Sequence, residues 1–244
     1  MSNNSHLLET PDVIINPYRF ASSGSPGTAN LVGWWGLDDL NDDHASYDLT
    51  DGGTITYATG KQGNAASFDG TTDYLSNSAF PNDIHQSDFS VSVWVNADTL
   101  RDPTTNGIIG QFGSTNPGEW HWGMFAAAGT IYFRTWNTSS TAFSAVSNST
   151  LGTGSWVHLV GVKNSSGVIT LYVDGVAQTT TGDDSGETLN TADQDLAIGV
   201  ILDDVATRGW DGLIDEVGIF DDELSTDEVS WLYNSGSGRQ YSDL

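Results

Sequence analysis

Cysteine is absent from all 244 residues. This excludes a disulfide scaffold, a Cys-ligated zinc, an iron–sulfur cluster and a thiol nucleophile. A domain of this length folds without disulfides, so the absence leaves the compartment open. Basic residues are nearly as scarce, 7 Lys and Arg against 32 Asp and Glu, for a formal net charge of -25 at pH 7. A sequence-independent nucleic-acid binder needs a basic footprint, and docking on anionic membrane surfaces needs one too, so neither partner is expected. No run of about 18 apolar residues is present, which leaves no candidate transmembrane helix. Residues Met1 to Pro11 lack the basic and apolar regions of a secretory signal. The expectation is a protein that stays in the cytosol, leaves by another route or travels on a particle.

What is present is aspartate, glycine and tryptophan. The acids are 26 Asp and only 6 Glu, and Gly numbers 28. Asp and Gly make turns whereas Glu favours helices, so the balance favours strands joined by Asx-rich turns. Hydrophobic content of 37% with 9 Trp is enough for a real core. Phe89 to Asn96 alternates strictly, placing Phe89, Val91, Val93 and Val95 on one face. Val168 to Val173, then Asp174-Gly175, then Val176 predicts a hairpin, because a type I′ turn needs positive φ at both central residues. Further strands are expected near 31–37, 64–68, 73–76, 107–112, 120–125, 130–136, 156–163, 196–201 and 209–220. One short helix is expected near the C-terminus. There Ser225-Thr-Asp-Glu228 forms a capping box, Val229, Leu232 and Tyr233 follow at helical spacing, and Asn234-Ser-Gly236 stops it. Residues 1–30 differ from the rest. They carry Pro11, Pro17 and Pro26 and a Ser/Gly run from Ala21 to Thr28, so they read as an extended arm and linker, with 31–244 as the domain. The arm's Val13-Ile14-Ile15 and Tyr18-Arg19-Phe20 lie along the domain's surface or dock on a neighbouring subunit.

Several stretches, in order, resemble the laminin-G-like, concanavalin A-like jelly-roll domains of bacterial, marine and phage proteins. Leu31 to Asp39 (LVGWWGLDD) is similar to the family's opening strand, and Gly60 to Leu75 (GKQGNAASFDGTTDYL) to its most recognisable motif. Phe89 to Val95, Trp156 to Val162, Leu171 to Val176, and Gly209 to Phe220 with Leu224-Ser225 follow in the family's order. The likeness spans roughly 31–234 and implies an all-β, two-sheet antiparallel jelly-roll sandwich. It does not select a function, because one fold hosts many sites. Two departures stand out: Asn41 to Asp48 replaces the usual Gly-rich turn, and the arm has no counterpart in the domain. Its Ile15 to Ala21 resembles short N-terminal segments of phage structural proteins.

Catalytic patterns are missing. Glycosidases of this fold resemble one another in a Glu-x-Asp strand motif, which none of the six Glu begins. Asp215 and Glu216 are adjacent and so point to opposite faces of a strand. No Gly-x-Ser-x-Gly elbow, His-Glu-x-x-His motif or phosphate loop occurs. His158 reads as a hydrogen-bonded structural residue. The expected protein is therefore not an enzyme. For metals, Asp39 to Asp43 starts like an EF-hand loop, but His44 stands at the turn glycine and Thr50 at the closing acid. The resemblance implies instead a structural calcium between the first strand's acid and that of the last Ile-Asp-Glu strand, matching Asp38 or Asp39 and Asp215. The alternative for each is a solvated or Asx-turn acid.

The aromatics carry the remaining signal. Trp94, Trp156 and Trp210 fall where the family places large apolar residues, which predicts core packing. Trp120 and Trp122 share a face if they lie on a strand, as do Tyr132, Arg134 and Trp136 on the next. Such a surface stacks on sugar rings and hydrogen-bonds their hydroxyls, so these five are the glycan-binding candidates; burial in the sandwich or an interface is the alternative. The resulting expectation is an exterior structural or adhesion module of a virion, such as a decoration, fibre or spike. It would be homo-oligomeric, display glycan binding, and join capsid or tail proteins through the arm. The alternative is a secreted or cell-surface carbohydrate-binding module of a marine bacterium, and a glycoside hydrolase ranks third.

Overall fold

The computed structural model describes residues 24–100, 105–113, 119–201 and 205–244. In chain order the strands are β1 (Leu31–Trp35), β2 (Thr50–Asp51), β3 (Thr56–Thr59), β4 (Asn64–Asp69), β5 (Leu75–Asn77), β6 (Phe89–Thr99), β7 (Thr105–Gln111) and β8 (Trp122–Ala127). They continue as β9 (Thr130–Trp136), β10 (Ala142–Thr150), β11 (Val157–Lys163), β12 (Val168–Val173), β13 (Val176–Ala177), β14 (Gly182–Asp183), β15 (Leu196–Ile198) and β16 (Asp211–Phe220). Two helices, α1 (Val205–Arg208) and α2 (Thr226–Tyr233), complete the regular structure, apart from short 3₁₀ turns. No helix among the described residues is long and apolar enough to cross a membrane. The first sheet runs β13-β12-β11-β6-β16-β4-β3, with β1 also pairing β16 and β14 pairing β12. The second runs β10-β9-β8-β7-β15-β5-β2, and the pairings within both sheets are antiparallel. This is the expected two-sheet jelly-roll sandwich.

Period-two alternation builds the interior. Phe89, Val91, Val93 and Val95 of β6 and Leu159 of β11 face Trp122, Met124, Ala126, Ile131 and Phe133 of the second sheet in one buried cluster. Gly161 belongs there because the Phe133 ring lies 2.4 Å from where its Cβ would sit. The 174–175 turn has the anticipated hairpin geometry, with φ of 50° at Asp174 and 77° at Gly175. Ser225 caps α2 by accepting from the Glu228 amide while the Glu228 carboxylate accepts from the Ser225 amide, and Asn234 ends the helix in the left-handed region. The helix lays Val229 and Leu232 on the outer face of the first sheet, against Trp34, Val160, Val162, Tyr172 and Phe220.

Four strands escape the sequence pattern. β10 is mostly half-exposed or exposed and rich in Ser, Asn and Ala, and β3 is exposed throughout. Both end a sheet, where side chains are not sorted between core and water, so no alternation is imposed. β2 and β14 have two residues each. Asn30 is tied to the segment after β16: the Asp221 amide donates to Asn30 O at 2.8 Å, and Asn30 Nδ2 donates to Asp222 at 2.8 Å. The arm's apolar groups at 13–15 and 18–20 lie outside the described residues.

Candidate functional site

The outer face of the second sheet carries an aromatic cluster. Phe112, Trp120, Phe125, Trp136 and Ile201 pack together there with Tyr132 at their margin. Glycines make room for it: Cβ atoms at Gly110 and Gly123, a cross-strand pair, would stand 2.6 and 2.1 Å from the Phe112 ring. Phe125 stacks on Tyr132 at 5.4 Å and 12°, and Trp120 meets Trp136 edge-on at 5.0 Å. Arg134 lies over this layer, its guanidinium carbon 4.9 Å from the Tyr132 ring, 5.0 Å from Phe125 and 5.5 Å from Trp136. Arg134 Nε donates to Ser144 Oγ on β10 at 2.6 Å. Burial lowers the Arg134 pKa, yet guanidinium stays charged. Among the described residues no carboxylate lies within 4.0 Å of it; the ion pair found there is Lys163–Asp184.

The five glycan candidates therefore divide. Tyr132, Arg134 and Trp136 share the outer face as alternation predicts, with Tyr132 and Arg134 half-buried. Trp136 and Trp120 are buried at its base, 2% and 7% exposed, and Trp120 Nε1 donates to Gly113 O. Trp122 does not share a face with Trp120. It points between the sheets, fully buried, with Nε1 donating to Gln111 Oε1 at 2.8 Å. The reason is that β8 starts at Trp122, so Trp120 precedes the pleat and alternation does not bind the two. Trp122 is a core residue. No sequence pattern points to Phe112, Phe125 or Ser144, because the pairing of Gly110 with Gly123 that makes room for Phe112 exists only in the folded sheet.

The acids expected to hold calcium bind the protein's own amides. Asp215 Oδ2 accepts from Lys61 N at 2.6 Å and Gln62 N at 3.0 Å, and Oδ1 accepts from Glu216 N at 2.9 Å. Asp38 accepts from Asn64 N, on the same 60–64 loop, and Asp39 accepts from Asn41 N and Nδ2 in an Asx turn. Among the described residues no three His, Asp or Glu side chains form a metal-holding group. Asp38, Asp39 and Asp215 thus each commit at least one carboxylate oxygen to the protein's own N–H groups. Burial raises Asp215 to about 7, and burial with the Asp215 charge pushes Glu216 to about 9. Glu216 sits at φ 48° in a bulge of β16 and accepts from Trp34 Nε1 at 2.7 Å.

His158 is buried, its Nε2 2.9 Å from Ser92 Oγ, which is the structural role anticipated. Trp210 is in the core between the sheets. Trp94 is buried on the outer face of the first sheet, stacked with His158 and Tyr233, and Trp156 is only partly buried.

With this geometry in place, the family described as the concanavalin A-like lectin/glucanases superfamily matches residues 69–230. Domain 4 of AbnA, a GH43 extracellular arabinanase from Geobacillus stearothermophilus solved in complex with arabinotriose, is similar with a TM-score of 0.64 and 25% identity. The match covers 82% of this chain and 97% of that domain. The receptor binding domain of botulinum neurotoxin C/D mosaic serotype has a TM-score of 0.66 at 18% identity, covering 84% of this chain and 51% of that one. The binding domain of Paraclostridial Mosquitocidal Protein 1 has a TM-score of 0.68 at 14% identity, covering 85% and 52%. The chain spans about half the length of these two toxin domains, and at such identities the likeness is one of fold. No curated protein matches the chain by sequence.

Proposed function

The chain belongs to the concanavalin A-like lectin/glucanases superfamily, and from that premise we propose that it is a non-catalytic carbohydrate-binding module. Its ligand face is the outer side of the second sheet around Arg134. The observation that carries this reading is the Arg134 guanidinium, held over Tyr132, Phe125 and Trp136 with no carboxylate partner among the described residues. A guanidinium fixed at Nε keeps its outer N–H groups for a ligand, and its planar fork suits paired oxygens. Tyr132 beside it offers a half-exposed ring and a phenol for a sugar face and hydroxyl. The platform's polar groups are a guanidinium, a phenol and the Ser144 hydroxyl, not the carboxylate pair that glycoside hydrolysis needs. The similar arabinanase domain, solved with arabinotriose, supports the ligand class. Arg134→Ala should weaken binding to a multivalent glycan display by about 1–3 kcal/mol per site, the worth of a charged hydrogen bond, with melting little changed. Trp122→Ala should instead cost about 3–5 kcal/mol of stability, the price of an interior Trp cavity. Glycan-array signal unchanged by Arg134→Ala overturns the assignment of the face.

We further propose that the module is displayed on the exterior of a particle or cell, with residues 1–30 joining it to capsid, tail or sister subunits. The apolar, proline-punctuated arm before a Ser/Gly linker supports this. Deleting residues 1–28 should leave a domain that melts as before but no longer enters its assembly, as read by sedimentation. Unchanged assembly, or unfolding of the shortened chain, counts against it.

A further inference from the structure

The cavity between the 164–167 turn and the 183–187 turn is separate from the Arg134 face and has a charged floor. Lys163, at the end of β11, is 2% exposed, and Asp184, just after β14, is 4% exposed. Lys163 Nζ lies 3.7 Å from Asp184 Oδ1, too long for a hydrogen bond, and donates only a long 3.4 Å bond to Ser87 O. An ammonium has three donors, and a buried one needs them satisfied. Asp184 Oδ2 accepts from Thr135 Oγ1 at 2.7 Å, leaving Oδ1 with acceptor capacity beside the ammonium. Above this pair opens a cavity of about 120 Å³, rimmed by Ser165, Ser166, Ser185 and Glu187. At roughly 30 Å³ per water it holds about four waters, or one hydroxylated edge of a sugar ring.

The walls are preformed. Asn164 Oδ1 accepts from the Ser166 and Val168 amides, and the Asp184 amide donates to Gly167 O. A Cβ at Gly167 would stand 2.4 Å from Ser185 N, so the two turns are in contact. Glu187 is held from behind by Asn137 Nδ2 at 2.6 Å.

We infer that this cavity is a binding pocket for a neutral vicinal diol, as on a terminal sugar or a free polyol, with Lys163 donating to both hydroxyl oxygens and Asp184 accepting from one of them. Each hydroxyl both accepts and donates, which is what an adjacent ammonium and carboxylate require. Asp184 and Glu187 disfavour an anion, and the Lys163 ammonium disfavours a metal cation. The hydroxyl rim offers little apolar surface for a hydrophobic ligand. The pocket stands independently of the Arg134 face, so the two readings fail separately.

The test is an amide-shift titration of the full chain with methyl glycosides of arabinose, galactose, glucose and mannose, and with open-chain mannitol as the polyol arm. A diol ligand should shift the amides of 165–167 and 185–187. Ser166→Trp, a substitution at the exposed rim, should weaken that response roughly tenfold or more, as Lys163→Met should where it folds. Arg134→Ala should leave it unchanged. No shift at those amides with any probe, or a shift that survives Ser166→Trp, overturns the inference. Shifts confined to β9 and β10 overturn it while leaving the binding-module reading intact.

Discussion

His85 and His121 stack with ring centroids 5.0 Å apart and planes at 21°. Burial lowers His85 to about 3 and His121 to about 4; each is further biased by nearby charge, His85 by His121 and Lys163, His121 in the opposite sense by Asp193. In the unfolded chain both titrate near 6.5, so between about 6.5 and 4 the unfolded state binds more protons and stability falls as pH falls. Their contribution is complete above about 6.5. At about 1.4 kcal/mol per pH unit for each histidine, the expected loss is on the order of several kcal/mol across that window. His121→Phe should flatten the acid limb of a melting-temperature profile, and an unaltered slope would refute the assignment. None of this was visible in sequence, where the two histidines stand far apart with no shared motif. The same holds for Lys163 and Asp184, which meet only because β11 and β14 flank β12. Tyr132, Arg134 and Trp136 were legible because they lie within one regular strand. The spacing of Trp120 and Trp122 does not place them on one face, because a spacing of two has meaning only inside a pleat.

At the scale of elements, the contact of β7 with β8 depends on two glycines beneath the Phe112 ring. Gly123→Ala would put a methyl carbon 2.1 Å from Phe112 Cζ. The ring must leave its place on the sheet, taking Trp120 and Trp136 with it, at a cost of about 1–3 kcal/mol typical of overpacking. Denaturant unfolding should show this loss, and the change in near-ultraviolet circular dichroism should exceed that of a surface substitution such as Ser139→Ala. Elements with a buried face were legible in the sequence: β6 through its alternating valines, the β12–β13 hairpin through Asp174-Gly175, α2 through its capping box. β10 was not, although it is nine residues long, because water lies along much of it and its Ser and Asn answer to no core.

For the whole molecule, a net charge of -25 meets a single ion pair among the described residues. Mutual repulsion of the acids therefore opposes compaction and is relieved by screening, whose reach shrinks to about 10 Å at 0.1 M salt. Melting temperature should rise by several degrees between low salt and physiological sodium chloride; a fall would mean that attractive pairs dominate. The two outer faces also differ in kind. α2 covers that of the first sheet, and Tyr241 and Leu244 pack against the same cluster, whereas Tyr132 and Arg134 of the second sheet remain accessible. Gly24 lies beside Trp231 of α2, and Asn30 is tied to Asp221 and Asp222. The domain thus has a covered back and an open front. A partner held against α2 therefore leaves Arg134 accessible on the opposite side.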